Sequence, residues 1–101
     1  MKIDIRDKTI ISKDFTNTET AWAIEDASLV LEYLNNMNKI VLGGEILTQK
    51  MEHNYDSWYY NVDSTFNHQI NVERSVKRAT EYILKYIKLN GNAFYVVFVT
   101  E

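Results

Sequence analysis

Apolar residues recur along this chain in two rhythms, and the change from one to the other separates helices from strands. Val72, Val76, Ala79, Ile83 and Tyr86 step by four, three, four and three, which aligns them on one face of a helix. Glu73 with Lys77 and Glu81 with Lys85 have the i,i+4 spacing of outward ion pairs. Lys85 and Lys88 suit the negative end of the helix dipole, and Asn90-Gly91 supplies a left-handed stop. A shorter helix follows from Ala27, Val30 or Leu31, and Leu34. It is expected to start near Ile24, where Glu25 and Asp26 favour the positive end of the dipole, and to be ended by Asn35, Asn36 and Asn38.

The other apolar runs fit strands. Phe94-Tyr95-Val96-Val97-Phe98-Val99 is β-branched or aromatic at every position, so it is expected to be central in a sheet with both faces covered. Residues 39–42 and 46–48 flank Gly43-Gly44, residues 57–62 make an aromatic strand, and residues 3–11 suggest an edge strand. The resulting order is helix, strand, strand, helix, strand. It predicts an α+β domain with two helices packed on one face of a small, largely antiparallel sheet of three to five strands.

Composition narrows the class. With 101 residues and 46% of them hydrophobic, the chain suits a single domain over residues 1–101 with one core. It contains no cysteine, so disulfides, thiolate nucleophiles and Cys-ligated metals are excluded. Charges interrupt the N-terminus where a signal peptide would need an apolar run, and no stretch approaches the roughly 18 apolar residues of a membrane span. A cytoplasmic location with no membrane partner is the expectation.

Charge is distributed unevenly. Of the net −3, residues 19–63 carry −6, with eight carboxylates against Lys39 and Lys50, while the flanking segments are mildly basic. An acidic middle favours a basic partner and repels a nucleic-acid backbone, although a merely solvated acidic surface would have the same composition.

Gly43-Gly44 lacks the spaced glycines and the Lys-Ser/Thr pair of a phosphate loop, so backbone geometry or close approach of another element is the simpler explanation. In Tyr55-Asp56-Ser57-Trp58-Tyr59-Tyr60, strand alternation sends Trp58 and Tyr60 to one side and Tyr59 to the other. Trp58 is therefore assigned to the core, and Tyr55 and Tyr59 to a contact surface. Glu52, His53 and Asp56 could form an acid/base or metal group, but they lack the spacing of any metal or triad motif. His68 lies in an ordinary polar setting, and no cofactor is indicated.

Taken in order, Ala21-Trp22-Ala23-Ile24-Glu25-Asp26-Ala27, Ile40-Val41-Leu42-Gly43-Gly44-Glu45-Ile46-Leu47, the acid-x-Trp-Tyr segment at Asp56 to Tyr59, and Glu73-Arg74-Ser75 with Ala79 and Tyr82-Ile83 resemble the small immunity proteins of bacterial polymorphic toxin systems. Within that group they are most similar to the fortieth numbered family, from about Ala21 to Val99, with Glu45 where family members look more like Asp. The resemblance implies a cytoplasmic antitoxin rather than an enzyme. Its partner would be the C-terminal domain of one secreted or contact-delivered toxin, basic as the many nucleases among such toxins are, blocked by stoichiometric occlusion. The acidic and aromatic contacts expected for it are Glu45, Glu52, Tyr55, Asp56, Tyr59 and Asp63, with Gly43, Gly44 and Trp58 as scaffold. Two alternatives are a small metal-dependent hydrolase using His53 and Asp56 and a self-associating structural domain.

Overall fold

The computed structural model describes residues 12–14, 20–50 and 52–101, and the side chains of residues 12–14 and of Tyr55 lie outside that description. In chain order the elements are β1 (Ser12–Asp14), β2 (Thr20–Ala23), a 3-10 turn (Ile24–Asp26), α1 (Ala27–Asn36), β3 (Val41–Leu47), β4 (His53–Tyr59), α2 (His68–Asn90) and β5 (Tyr95–Thr100). The strands form one antiparallel sheet in the order β1-β2-β5-β3-β4. Both helices pack on one face of it, giving the expected α+β architecture.

The core follows from strand alternation meeting helical periodicity. Val96 and Ile46 pair across β5 and β3, and they pack with Trp58 against Ala27 and Leu31 of α1 and Ala79, Ile83 and Tyr86 of α2. Trp58 is 3% exposed, stacked on Tyr82 at 4.8 Å and edge-on to Phe98 at 5.9 Å. Tyr86 continues this aromatic row, stacked on Tyr82 and edge-on to Phe94 at 5.4 Å. Buried rings in offset and edge-to-face contact add to the area they remove from water.

Hydrogen bonds set the height of α2 over the sheet. Ser75 is fully buried, and its Oγ donates to Val72 O while accepting from the Val41 backbone N–H at 2.9 Å. Asn71, also buried, accepts from the Tyr60 hydroxyl and the Asp63 N–H, and donates to the carbonyls of Asp63, Phe66 and Asn67. One side chain thus satisfies the loop that joins β4 to α2. Asn67 caps α2 by accepting from the Ile70 N–H, and Gly91 ends it at φ 85°. Asn38, at φ 59°, closes the turn after α1.

Several expectations are revised. A single strand runs through Gly43-Gly44 in place of two, because neighbouring backbone and the Trp58 ring occupy the space where side chains would stand. The aromatic strand begins at His53 and ends at Tyr59 rather than spanning residues 57–62, since Asn71 draws Tyr60 toward the loop that follows. Thr20–Ala23 is a strand, too short and too alanine-rich to carry a pattern. β5 is central, yet Val99 is half exposed. Among the described residues the ion pairs are His53–Glu45 and His68–Glu101, so Glu73–Lys77 and Glu81–Lys85 stay open, as suits long side chains in high dielectric. The edge strand expected over residues 3–11 lies outside the described residues.

Candidate functional site

Alternation along β3, β4 and β5 builds a second surface on the sheet face turned away from the helices. Glu45 pairs with Ser57 on one side and Val97 on the other, and Gly43 pairs with Tyr59 and Val99. Together with His53 these residues line a shallow depression of about 460 Å³. Tyr59 is 72% exposed and Val99 49% exposed. Glu45 Oε1 lies 2.8 Å from His53 Nδ1, a contact that holds the carboxylate over the sheet.

The floor of the depression depends on the two glycines. A Cβ on Gly44 would enter the indole of Trp58, 2.6 Å from Cζ3 and 2.8 Å from Cζ2, and one on Gly43 would overlap the Trp58 carbonyl oxygen. Without side chains there, the strand passes directly over the Trp58 ring on the helix side and leaves a hollow on the other. Tyr59 is anchored through its backbone, because its carbonyl accepts a hydrogen bond from Arg78 Nε.

The six expected contact residues fall into different surroundings. Glu45 and Tyr59 share the depression. Glu52 is exposed in the β3–β4 hairpin, its N–H donating to Thr48 Oγ1. The backbone of Tyr55 lies in β4, and its side chain is outside the described residues. Asp56 turns to the helix side, where Oδ2 accepts from the Tyr86 hydroxyl at 2.8 Å and from Asn54 Nδ2 at 3.3 Å. Asp63 accepts from the hydroxyl and the backbone N–H of Thr65 in the loop after β4. Those two hydrogen bonds, the hydroxyl first, hold its carboxyl below the ordinary range, with the charge of Arg74 adding to the effect.

His53 and Asp56, the pair on which a hydrolase would rest, project from opposite faces of β4. Among the described residues no group of three or more His, Cys, Asp or Glu side chains could hold a metal ion. Ser57, Val97 and Val99 also line the depression, beyond the contact residues expected from sequence. Ser57 was recoverable from its two-residue spacing to Tyr59, but the unbroken apolar run of β5 concealed that Val99 lies open.

Comparison with known protein families matches residues 11–100 to Immunity protein 40. The chain belongs to that family. Membership implies neutralisation of a cognate toxin, by inhibition rather than by catalysis. No curated protein and no solved structure matches the chain. Among the described residues no helix is long and apolar enough to cross a membrane. Several of the residues that carry the family resemblance do packing work here: Gly43 and Gly44 admit Trp58, Trp58 stacks on Tyr82, and Ser75 holds Val41.

Proposed function

We propose that this immunity protein neutralises its toxin by stoichiometric occlusion in the cytoplasm, docking the sheet face turned away from the helices onto the toxin's C-terminal domain. The observation that carries this reading is the 72% exposed ring of Tyr59 beside the half-exposed Val99 and the partly exposed Glu45, all on paired strands. A tyrosine on a rigid strand loses little conformational freedom on binding, and such rings are common energetic anchors. Glu45 and Glu52 supply negative charge at the hairpin end, which suits a basic patch on the toxin, as on a nuclease, and speeds encounter. Asp56 and Asp63 serve the fold in this reading, and Glu45, Glu52 and Tyr59 are the contacts.

The test uses the toxin domain encoded beside this gene. Tyr59→Ala and Glu45→Lys should keep the circular dichroism spectrum, since Tyr59 is exposed and Glu45 lies outside the core cluster. Tyr59→Ala should raise Kd about 30-fold, the loss expected for an anchor ring. Unchanged affinity in both variants rejects this face.

A further inference from the structure

A second charged surface borders the first. Arg74, Lys77 and Arg78 lie three and four residues apart on α2, all exposed, and with Tyr60 and Glu81 they line a hollow of about 380 Å³. Two of the three cations are held in place. The Arg74 guanidinium sits 4.7 Å above the centre of the Phe66 ring, and Arg78 donates Nε to the carbonyl of Tyr59. Arg78 thereby ties the basic hollow to the strand end that presents the Tyr59 ring.

Among the described residues none of these three cations has a carboxylate within 4.0 Å. Asp63 feels the field of Arg74 but spends its hydrogen bonds on Thr65. An exposed, partly immobilised cation trio beside a docking face calls for anionic groups from outside the chain, and charge-assisted contacts are strongest where the donor is already oriented.

We propose that Arg74, Lys77 and Arg78 receive a carboxylate-bearing segment of the toxin, so that the complex is held by anchors of both signs: acids of this chain at the β3–β4 hairpin and bases of this chain on α2. The inference rests on the docking face described above and extends it past the end of β4. A protein segment fits better than a nucleic acid. Glu73 and Glu81 lie beside the trio on the same helix and the whole chain is net −3, so a long polyanion meets more repulsion than two or three spaced carboxylates do.

The experiment measures Kd for the adjacent-gene toxin domain with Arg74→Glu, Lys77→Glu and the double variant, leaving Arg78 and its backbone contact intact. Both residues are exposed, and Lys77→Gln serves as a milder second variant if reversal disturbs the helix. The double variant should raise Kd about tenfold or more, and its affinity should depend less on salt between roughly 0.05 and 0.3 M. Reversing acidic residues of the toxin to Lys should restore binding to the double variant alone. If Tyr59→Ala weakens binding while the double variant and Lys77→Gln bind as the parent does, the docking face stands and the acidic-segment site is overturned. Fluorescence anisotropy with a labelled duplex gives a separate arm: duplex binding abolished by the double variant, with toxin affinity unchanged, would assign the trio to nucleic acid and also overturn the proposal.

Discussion

The indole of Trp58 lies across the backbone of Gly44, filling the volume that any other residue's side chain would need. The ring cannot yield cheaply, because it is buried between Tyr82, Phe98 and the sheet. Gly44→Ala should therefore destabilise the protein by about 1–3 kcal/mol, the usual cost of overpacking a filled core. Adding Trp58→Phe opens room at that point, so the double variant should cost less than the two single changes together. Urea unfolding of the four proteins measures the coupling, and strict additivity would show that the ring and the glycine are independent.

Ser75 bridges α2 and β3 through one hydroxyl, accepting from the Val41 N–H in a fully buried site. Ser75→Ala keeps the helix propensity and nearly the volume, but leaves that N–H without an acceptor. A buried donor stranded in this way costs about 1–3 kcal/mol. The loss should appear as a lower urea midpoint with an unchanged slope, and amide exchange at Val41 should accelerate.

Long-period patterns made the helices legible: the heptad-like spacing of α2 appears in the structure as the sequence places it, and Asn35 and Asn36 form the end of α1 with Asn38 in the turn after it. β2 was not legible, because Thr20-Ala21-Trp22-Ala23 owes its pairing to β1 and β5 rather than to its own residues. The candidate site was half legible. Period-two alternation separates Trp58 from Tyr59 correctly, but Asp56 looks like a surface acid until Tyr86, thirty residues later, is placed against it. The basic hollow was hidden for a similar reason: in sequence Lys77 reads as the i,i+4 partner of Glu73, and only packing shows that Arg78 reaches the Tyr59 carbonyl.

Asp56 and Glu45 should consequently respond differently to the same substitution. Asp56→Lys places an ammonium against the Tyr86 hydroxyl and Asn54, removing an acceptor from a half-buried network. A stability loss of about 1–3 kcal/mol is expected, typical of breaking a hydrogen bond to a charged group. Glu45→Lys, at a side chain 35% exposed on the other face, should stay within about 0.5 kcal/mol of the parent. Thermal melts distinguish the two, and equal effects would remove the distinction between scaffold acid and contact acid.

Tyr86 makes stability sensitive to alkali. Burial, above all, and then its hydrogen bond to Asp56 and the charge of that carboxylate push the phenol up to about 12 from an ordinary 10, while the hydrogen bond from Asn54 opposes them. Tyr82 shifts in the same direction, through burial first and then the charge of Asp56. With the folded pKa above the unfolded one, the folded state keeps its proton when the unfolded state has lost it. The stabilisation is therefore complete below pH 10 and is lost as pH rises toward 12, by at most about 1.4 kcal/mol per pH unit for one proton. Tyr86→Phe removes this phenol from the balance, so its urea midpoint should start lower, for want of the Asp56 hydrogen bond, but fall less steeply over that range. Parallel pH profiles for the two proteins would show that the alkaline loss arises elsewhere.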